Sequence, residues 1–295
     1  MNAPRSNPRH TYSASAAHRQ LPFEVRLDWG PEGARTVAPG ADIAVVVDVL
    51  SFGTCLSVAL DRGVEVYPYP WKDTSAEDFA AHHQAQLAGP RDGGGLSLSP
   101  ASIRQAGALE RLVLPSPNGA ELCHALAAEV PVVAVACLRN AAATADWVAG
   151  NLPADAVVAV VAAGERWPDG TLRPAVEDQI GAGAFIAGLV ATGKGGYEAE
   201  DGRHGYAPEA VAALAVFEAS EPRLRDLLHH CSSGRELSGG GYTADVDIAA
   251  ELDDSESVAI LRGGAFRPGA PGPGAFRPGA PGPGAFRSGA DRTGP

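Results

Sequence analysis

Short apolar runs alternating with Ala/Leu-rich helical patterns constrain this chain more than any other feature. DIAVVVDVL (42–50) is apolar at consecutive positions and rich in Val, as a strand covered on both faces must be. It passes into SFGTCLSVALDRG, which has helical spacing and stops at Gly63. VEVYPYP (64–70) reads as a short strand. TSAEDFAAHHQAQLAG reads as a helix, with Thr74 or Ser75 and then Glu77 or Asp78 forming a capping box. The same alternation repeats in LVLPS then GAELCHALAAE, VPVVAVACL then NAAATADWVAGNL, and AVVAVVAAG (156–164) then EDQIGAGAFIAGLVATG. Strands separated by helices predict an α/β fold, a mostly parallel sheet with helices on both faces. From about 197 to 262 the pattern is mainly helical and closes on a last strand in DDSESVAIL.

A length of 295 residues suits one large α/β domain or two smaller ones. The domain is assigned to 21–263, with a division into two lobes near residue 150 left open. Residues 1–20 carry no periodic pattern and read as a flexible N-terminus. Residues 264–295 repeat GAFRPGAPGP with only small variation, and so Gly/Pro-rich a segment cannot bury enough surface to offset ordering. That segment is expected to be a disordered, dispensable tail.

The net charge of −12 argues against a nucleic-acid binder, which needs a basic footprint. A small anionic substrate stays compatible with it if local cations or a metal overcome the overall field. MNAPRSNPRHTYSASAAHRQ has no apolar core of a signal peptide, and no apolar stretch approaches the ~20 residues of a spanning helix. A cytoplasmic protein without a membrane partner is therefore expected, with homo-oligomerisation left open. Cys55, Cys123, Cys137 and Cys231 lack CxxC spacing, so neither a zinc site nor a disulfide framework is expected.

Ligands in open α/β sheets gather beyond the carboxyl ends of the strands. Polar residues cluster at those ends: Asp48 and Ser51, Ser116 to Gly119, Arg139 and Asn140, Glu165 and Arg166. Asp48 interrupts an apolar run, so its carboxylate needs a hydrogen-bond partner or a metal. In PSPNGAE, Ser116, Asn118 and Gly119 lie where a strand hands over to a helix; they suit a turn, and equally an anion cradle built from free helix N–H groups. On the cradle reading, a side chain at Gly119 hurts substrate handling more than folding. Glu177 and Asp178 open a helix after a loop that carries Glu165, which suits the helix dipole and also Mg2+, an ion that prefers oxygen ligands.

In series, VVVDVLSFGT, SLSP, LPSPNGAEL, ACLRNAAA and GERWPDGTLRPAVEDQIGAGAFI resemble the 2-phosphosulfolactate phosphatase family over roughly residues 42–262. The resemblance implies an α/β fold and a Mg2+-dependent phosphatase that releases phosphate from 2-phospho-3-sulfolactate, a step towards coenzyme M. The family's Asp-Val-Leu-Arg signature falls on Asp48, Val49, Leu50 and Ser51, so the arginine is replaced. Its Asn-Ser-Pro segment falls on Leu98, Ser99 and Pro100, and its Thr-Asn-Gly turn on Pro117, Asn118 and Gly119. Its Leu-Asn-Ala segment falls on Arg139, Asn140 and Ala141, and its Glu-Asp pair on Glu177 and Asp178.

With the residue reading, this implies Asp48, Glu177 and Asp178 as Mg2+ ligands, with Glu165 next. Asp48, Glu165 and Arg166 form the catalytic set. Ser51, Ser99, Ser116, Asn118, Gly119, Arg139 and Asn140 form the substrate-binding set, and Arg139 or Arg166 compensates for the missing arginine. Two other readings share the fold: a hydrolase of a different phosphoester, and a catalytically silent anion-binding protein.

Overall fold

The computed structural model describes residues 17–70, 75–194 and 204–267. The strands are β1 (Phe23–Trp29), β2 (Ile43–Val47), β3 (Glu65–Tyr69), β4 (Gln86–Leu87), β5 (Arg111–Pro115), β6 (Val132–Ala136), β7 (Val158–Ala162), β8 (Glu165–Arg166), β9 (Leu172–Arg173), β10 (His204–Tyr206), β11 (Ala259–Arg262) and β12 (Ala265–Phe266). Ten of them form one sheet in the order β10-β1-β7-β2-β6-β11-β12-β3-β5-β4, and β8 and β9 make a separate hairpin.

β10, β1, β7, β2 and β6 are mutually parallel, as are β3, β5 and β4. The antiparallel hairpin β11–β12 joins the two sets, pairing with β6 on one side and β3 on the other. The predicted mostly parallel α/β sheet is thus present. Its natural seam runs between β6 and β3, so a cut near residue 150 does not divide it.

The central strand β2 is buried at all five positions, which explains its unbroken apolar run. Its alternate side chains feed two cores. Ala44 and Val46 pack with Phe52, Leu56, Val66, Leu112, Leu114 and Phe266. Ile43, Val45 and Val47 pack with Ile180, Phe185 and Leu189 of the Val176–Ala191 helix on the other face. No helix among the described residues is long and apolar enough to cross a membrane.

Both domain limits read from the sequence need correction. Gln20 is buried, and its side chain donates to Leu27 O (2.8 Å) and accepts from Leu27 N (3.0 Å), so ordered chain begins before residue 21. At the other end, Ala265 and Phe266 belong to the sheet and are fully buried. Phe266 meets Phe52 edge-on, with ring centroids 6.4 Å apart. The first copy of the repeat is therefore part of the core; residues 1–16 and 268–295 lie outside the described residues.

Phe266→Ala should cost about 3–5 kcal/mol and lower Tm by roughly 10 °C in a domain of this size. Truncation after Gly263 should do at least as much, with truncation after Arg267 as the control. Scanning calorimetry showing an unchanged Tm after removal of Phe266 would return this strand to the tail.

Candidate active site

Asp48 follows β2 directly and is 5% exposed. Its carboxylate accepts two backbone N–H bonds: Oδ1 from Phe52 (3.0 Å) and Oδ2 from Gly119 (3.0 Å). One side chain thus ties the end of β2 to the starts of the helices Phe52–Asp61 and Gly119–Leu126. Asp178 makes a parallel set of bonds, accepting from Val49 N and Gly164 N, each at 2.8 Å. It fastens the Val176–Ala191 helix to the ends of β2 and β7. Gly164 has φ +66°, and a Cβ there would lie 2.7 Å from Leu172 Cδ1, so glycine is required for this approach.

Glu177 is 2% exposed and stands next to Asp178 in the first turn of the Val176–Ala191 helix. Glu165, the first residue of β8 just after β7, accepts a hydrogen bond from Asn118 Nδ2 at 3.0 Å. Asn118 and Glu165 open onto a cleft of about 430 Å3, also lined by Trp29, Arg35, Arg166 and Leu172. Asp48, Glu165, Glu177 and Asp178 thus lie at or just beyond the carboxyl ends of β2 and β7 or at the start of the Val176–Ala191 helix, close enough to act on one another electrostatically.

Their electrostatics follow from burial and mutual repulsion. Burial pushes the Asp48 carboxyl up to about 7, Glu165 adds to this, and the Phe52 and Gly119 amides oppose it. Asp178 is raised well above the usual carboxylate range by burial, then by Asp48 and Glu177. Glu165 is raised by burial and by Glu177, against the Asn118 hydrogen bond. Among the described residues, no arginine or lysine forms an ion pair with any of the four.

Several other predicted site residues sit elsewhere or are already committed. Arg139 is almost fully buried and paired with Asp61 (2.9 Å), Asp254 (3.1 Å) and Glu251, and it donates to Ser57 Oγ (3.2 Å). Such a guanidinium is a structural tie between distant segments, not a substrate ligand. Asn140 likewise holds Cys137 N, Val135 O and Ser257 O. Ser99 caps the Pro100–Gln105 helix and donates to Asp245 Oδ1 at 2.6 Å. Ser116 is buried, with its Oγ accepting from Asn118 N at 3.3 Å. Arg166 stands at the cleft, paired with Glu121 at 2.7 Å.

The anion cradle expected at PSPNG is corrected by the same geometry. The Gly119 N–H is held by Asp48 and is not free for a ligand. A Cβ at Gly119 would strike the Phe52 ring and lie 2.7 Å from Asp48 Oδ2, so a side chain there damages packing first. Sequence reasoning also missed Arg91, which donates to Ser51 Oγ at 2.6 Å. A lone arginine before three glycines in PRDGGGLSLSP was the available signal.

Residues 31–264 match the family model described as 2-phosphosulpholactate phosphatase. The chain belongs to that family. A probable 2-phosphosulfolactate phosphatase of Thermosynechococcus vestitus is 30% identical over 243 residues, which cover 79% of this chain and 90% of that protein. Those of Thermus thermophilus (31% over 228 residues; 75% and 89% covered) and Gloeobacter violaceus (30% over 226 residues; 72% and 85%) are similar to it as well. The family match excludes neither end of the carboxylate cluster: Asp48, Asn118, Glu165, Glu177 and Asp178 all fall within it.

A carboxyl group raised in the folded state stabilises below its unfolded pKa, and that contribution is lost as pH rises through the folded value. For Asp48 the loss runs from about pH 4 through about 7, and Asp178 and Glu165 act in the same direction. Chelator-treated protein should therefore lose thermal stability between pH 5 and 8, followed by differential scanning fluorimetry. A profile that rises over this range would contradict a buried acid cluster whose carboxyl groups are raised by burial.

Proposed function

We propose that this chain is a Mg2+-dependent phosphatase of a small anionic phosphoester, with 2-phospho-3-sulfolactate as the candidate substrate and sulfolactate and phosphate as products. The observation that carries the reading is the group of four carboxylates, none of them in an ion pair with an arginine or lysine among the described residues, beside the Asn118–Glu165 cleft in a chain of this family. The relatives' name, probable 2-phosphosulfolactate phosphatase, supports the substrate.

The donor chemistry fits a hard divalent cation: oxygen only, buried, mutually repelling and without an ion-paired base. Among the described residues no three His, Cys, Asp or Glu side chains form a ready cage. Mg2+ does not require one, since it is usually held by one or two carboxylates with water and substrate phosphate. Asp48, Glu177 and Asp178 are the residues that would hold it. Asp178, like Asp48, accepts one backbone N–H on each oxygen and keeps a second lone pair on each, so it stands with Asp48 among the acids that would hold the ion. The bound ion would supply charge neutralisation of the phosphoryl group and a more acidic water.

The chain's own residues supply the rest. Glu165, whose carboxyl is raised by burial, accepts a proton from the water that attacks phosphorus and gives it to the leaving alkoxide as the ester P–O bond breaks. Asn118 fixes the Glu165 carboxylate by its 3.0 Å bond. Arg166, at the cleft, offsets negative charge entering it.

Purified protein with Mg2+ should release phosphate from 2-phospho-3-sulfolactate faster than from other phosphoesters in a panel, and chelator should abolish release. Glu165→Gln should lower kcat about 100-fold or more with little change in Tm. A different preferred ester would move the substrate assignment, and no hydrolysis of any ester would favour the silent anion-binding reading.

A further inference from the structure

An acidic site that admits an anion needs a cation, and most of the nearby basic residues already have a carboxylate, carbonyl, hydroxyl or ring partner. Arg139 is held by three carboxylates. Arg166 is paired with Glu121 and donates to Pro117 O. Arg173 donates to Ser233 Oγ and lies over the Trp167 ring. Lys194 is bound to the carbonyls of Pro153 and Ala154.

Arg91 differs. Its Nη2 donates to Ser51 Oγ at 2.6 Å, beside the start of the Phe52–Asp61 helix and three residues after Asp48. Its Nε lies 3.6 Å from Asp245 Oδ2, beyond hydrogen-bond reach, and both atoms are buried without a hydrogen-bond partner. Asp245 is itself 1% exposed and is anchored by Ser99 Oγ (2.6 Å) and Ala101 N (3.1 Å). The Tyr242 ring backs the guanidinium at 5.5 Å. Three fixed neighbours thus hold the plane of Arg91, while its side chain keeps 24% of its accessible surface. Ser51, which accepts from Arg91, is the residue just before the Phe52–Asp61 helix, and the first amide of that helix, Phe52 N, donates to Asp48.

We infer that Arg91 binds an oxyanion group of the substrate beside Ser51, and so selects esters that carry a second anionic group in addition to the reacting phosphoryl. This rests on the phosphatase reading of the acidic cluster. A planar guanidinium that is pre-oriented and only singly hydrogen-bonded suits bidentate recognition of a sulfonate, carboxylate or phosphate, which a lysine ammonium cannot reproduce. The ester's second anionic group would lie at Ser51 and Arg91 while its phosphoryl meets the carboxylates. Asp245 acts through Arg91 and is a positioning residue.

Arg91→Lys keeps a positive charge opposite buried Asp245 while removing the planar fork. For a phosphoester with a second anionic group, this variant should raise KM at least tenfold with kcat within about threefold and Tm nearly unchanged. For a phosphoester lacking that group, KM should change less than twofold. Competitive inhibition by inorganic sulfate should weaken at least tenfold in the same variant. Arg91→Lys with wild-type KM and sulfate inhibition, in protein that remains an active phosphatase, overturns the inference and leaves the proposed function intact. Wild-type protein that hydrolyses no ester instead defeats the proposed function. Calorimetric titration with sulfate then still tests Arg91: tighter binding by wild type than by Arg91→Lys supports the site, and equal or absent binding overturns it.

Discussion

The hydrogen bonds from the Phe52 and Gly119 amides to the Asp48 carboxylate are the constraint on which the rest of the site depends. A buried carboxylate with no ion-paired base is costly unless its oxygens are satisfied. Here two helix starts supply donors that have no intrahelical partners. The same bonds that make the carboxylate tolerable also fix the spacing of the strand ends. Asp178 repeats the arrangement with Val49 and Gly164. Glu165 and Asn118, which face the cleft, are thereby placed by a framework they do not themselves build.

That framework is continuous with the core. Phe52, whose amide serves Asp48, packs its ring among Leu56, Val66, Leu112 and Phe266. Phe266 comes from the short strand that joins the two parallel sets of the sheet. The chain's last described strand therefore supports the helix start that holds the site's central acid. Gly119 is constrained from both sides, by the Phe52 ring and by the Asp48 carboxylate, which explains glycine there without invoking a ligand.

Much of the fold was legible because the central strands are buried on both faces, so β2, β6 and β7 declare themselves as unbroken apolar runs. β1 did not, because FEVRLDW places Glu24 and Arg26 inside. Arg26 is satisfied by the carbonyls of Phe23, Leu21, Val37 and Pro39, contacts that no local pattern announces. β12 was hidden because its composition matches the later repeat copies; only its place after β11 makes it a strand. In the site, the acids stood out as charges in or beside apolar runs. Arg139 and Asn140 looked equally promising at a strand end, yet their partners at 251–257 and 61 are remote in sequence and bind them structurally. Arg91 went unnoticed for the converse reason, since its partners Ser51 and Asp245 lie 40 and 154 residues away.

The central claim is that the buried acids form one cation-binding unit. Calorimetric titration with Mg2+ at pH 7, in buffers of different ionisation enthalpy, tests it most directly. The account predicts one ion bound per chain with net proton release, because Asp48 is raised to about 7 and must give up its proton to a cation. Glu177→Gln should weaken that binding strongly. Absence of binding, or binding without proton release that Glu177→Gln leaves unchanged, would contradict it.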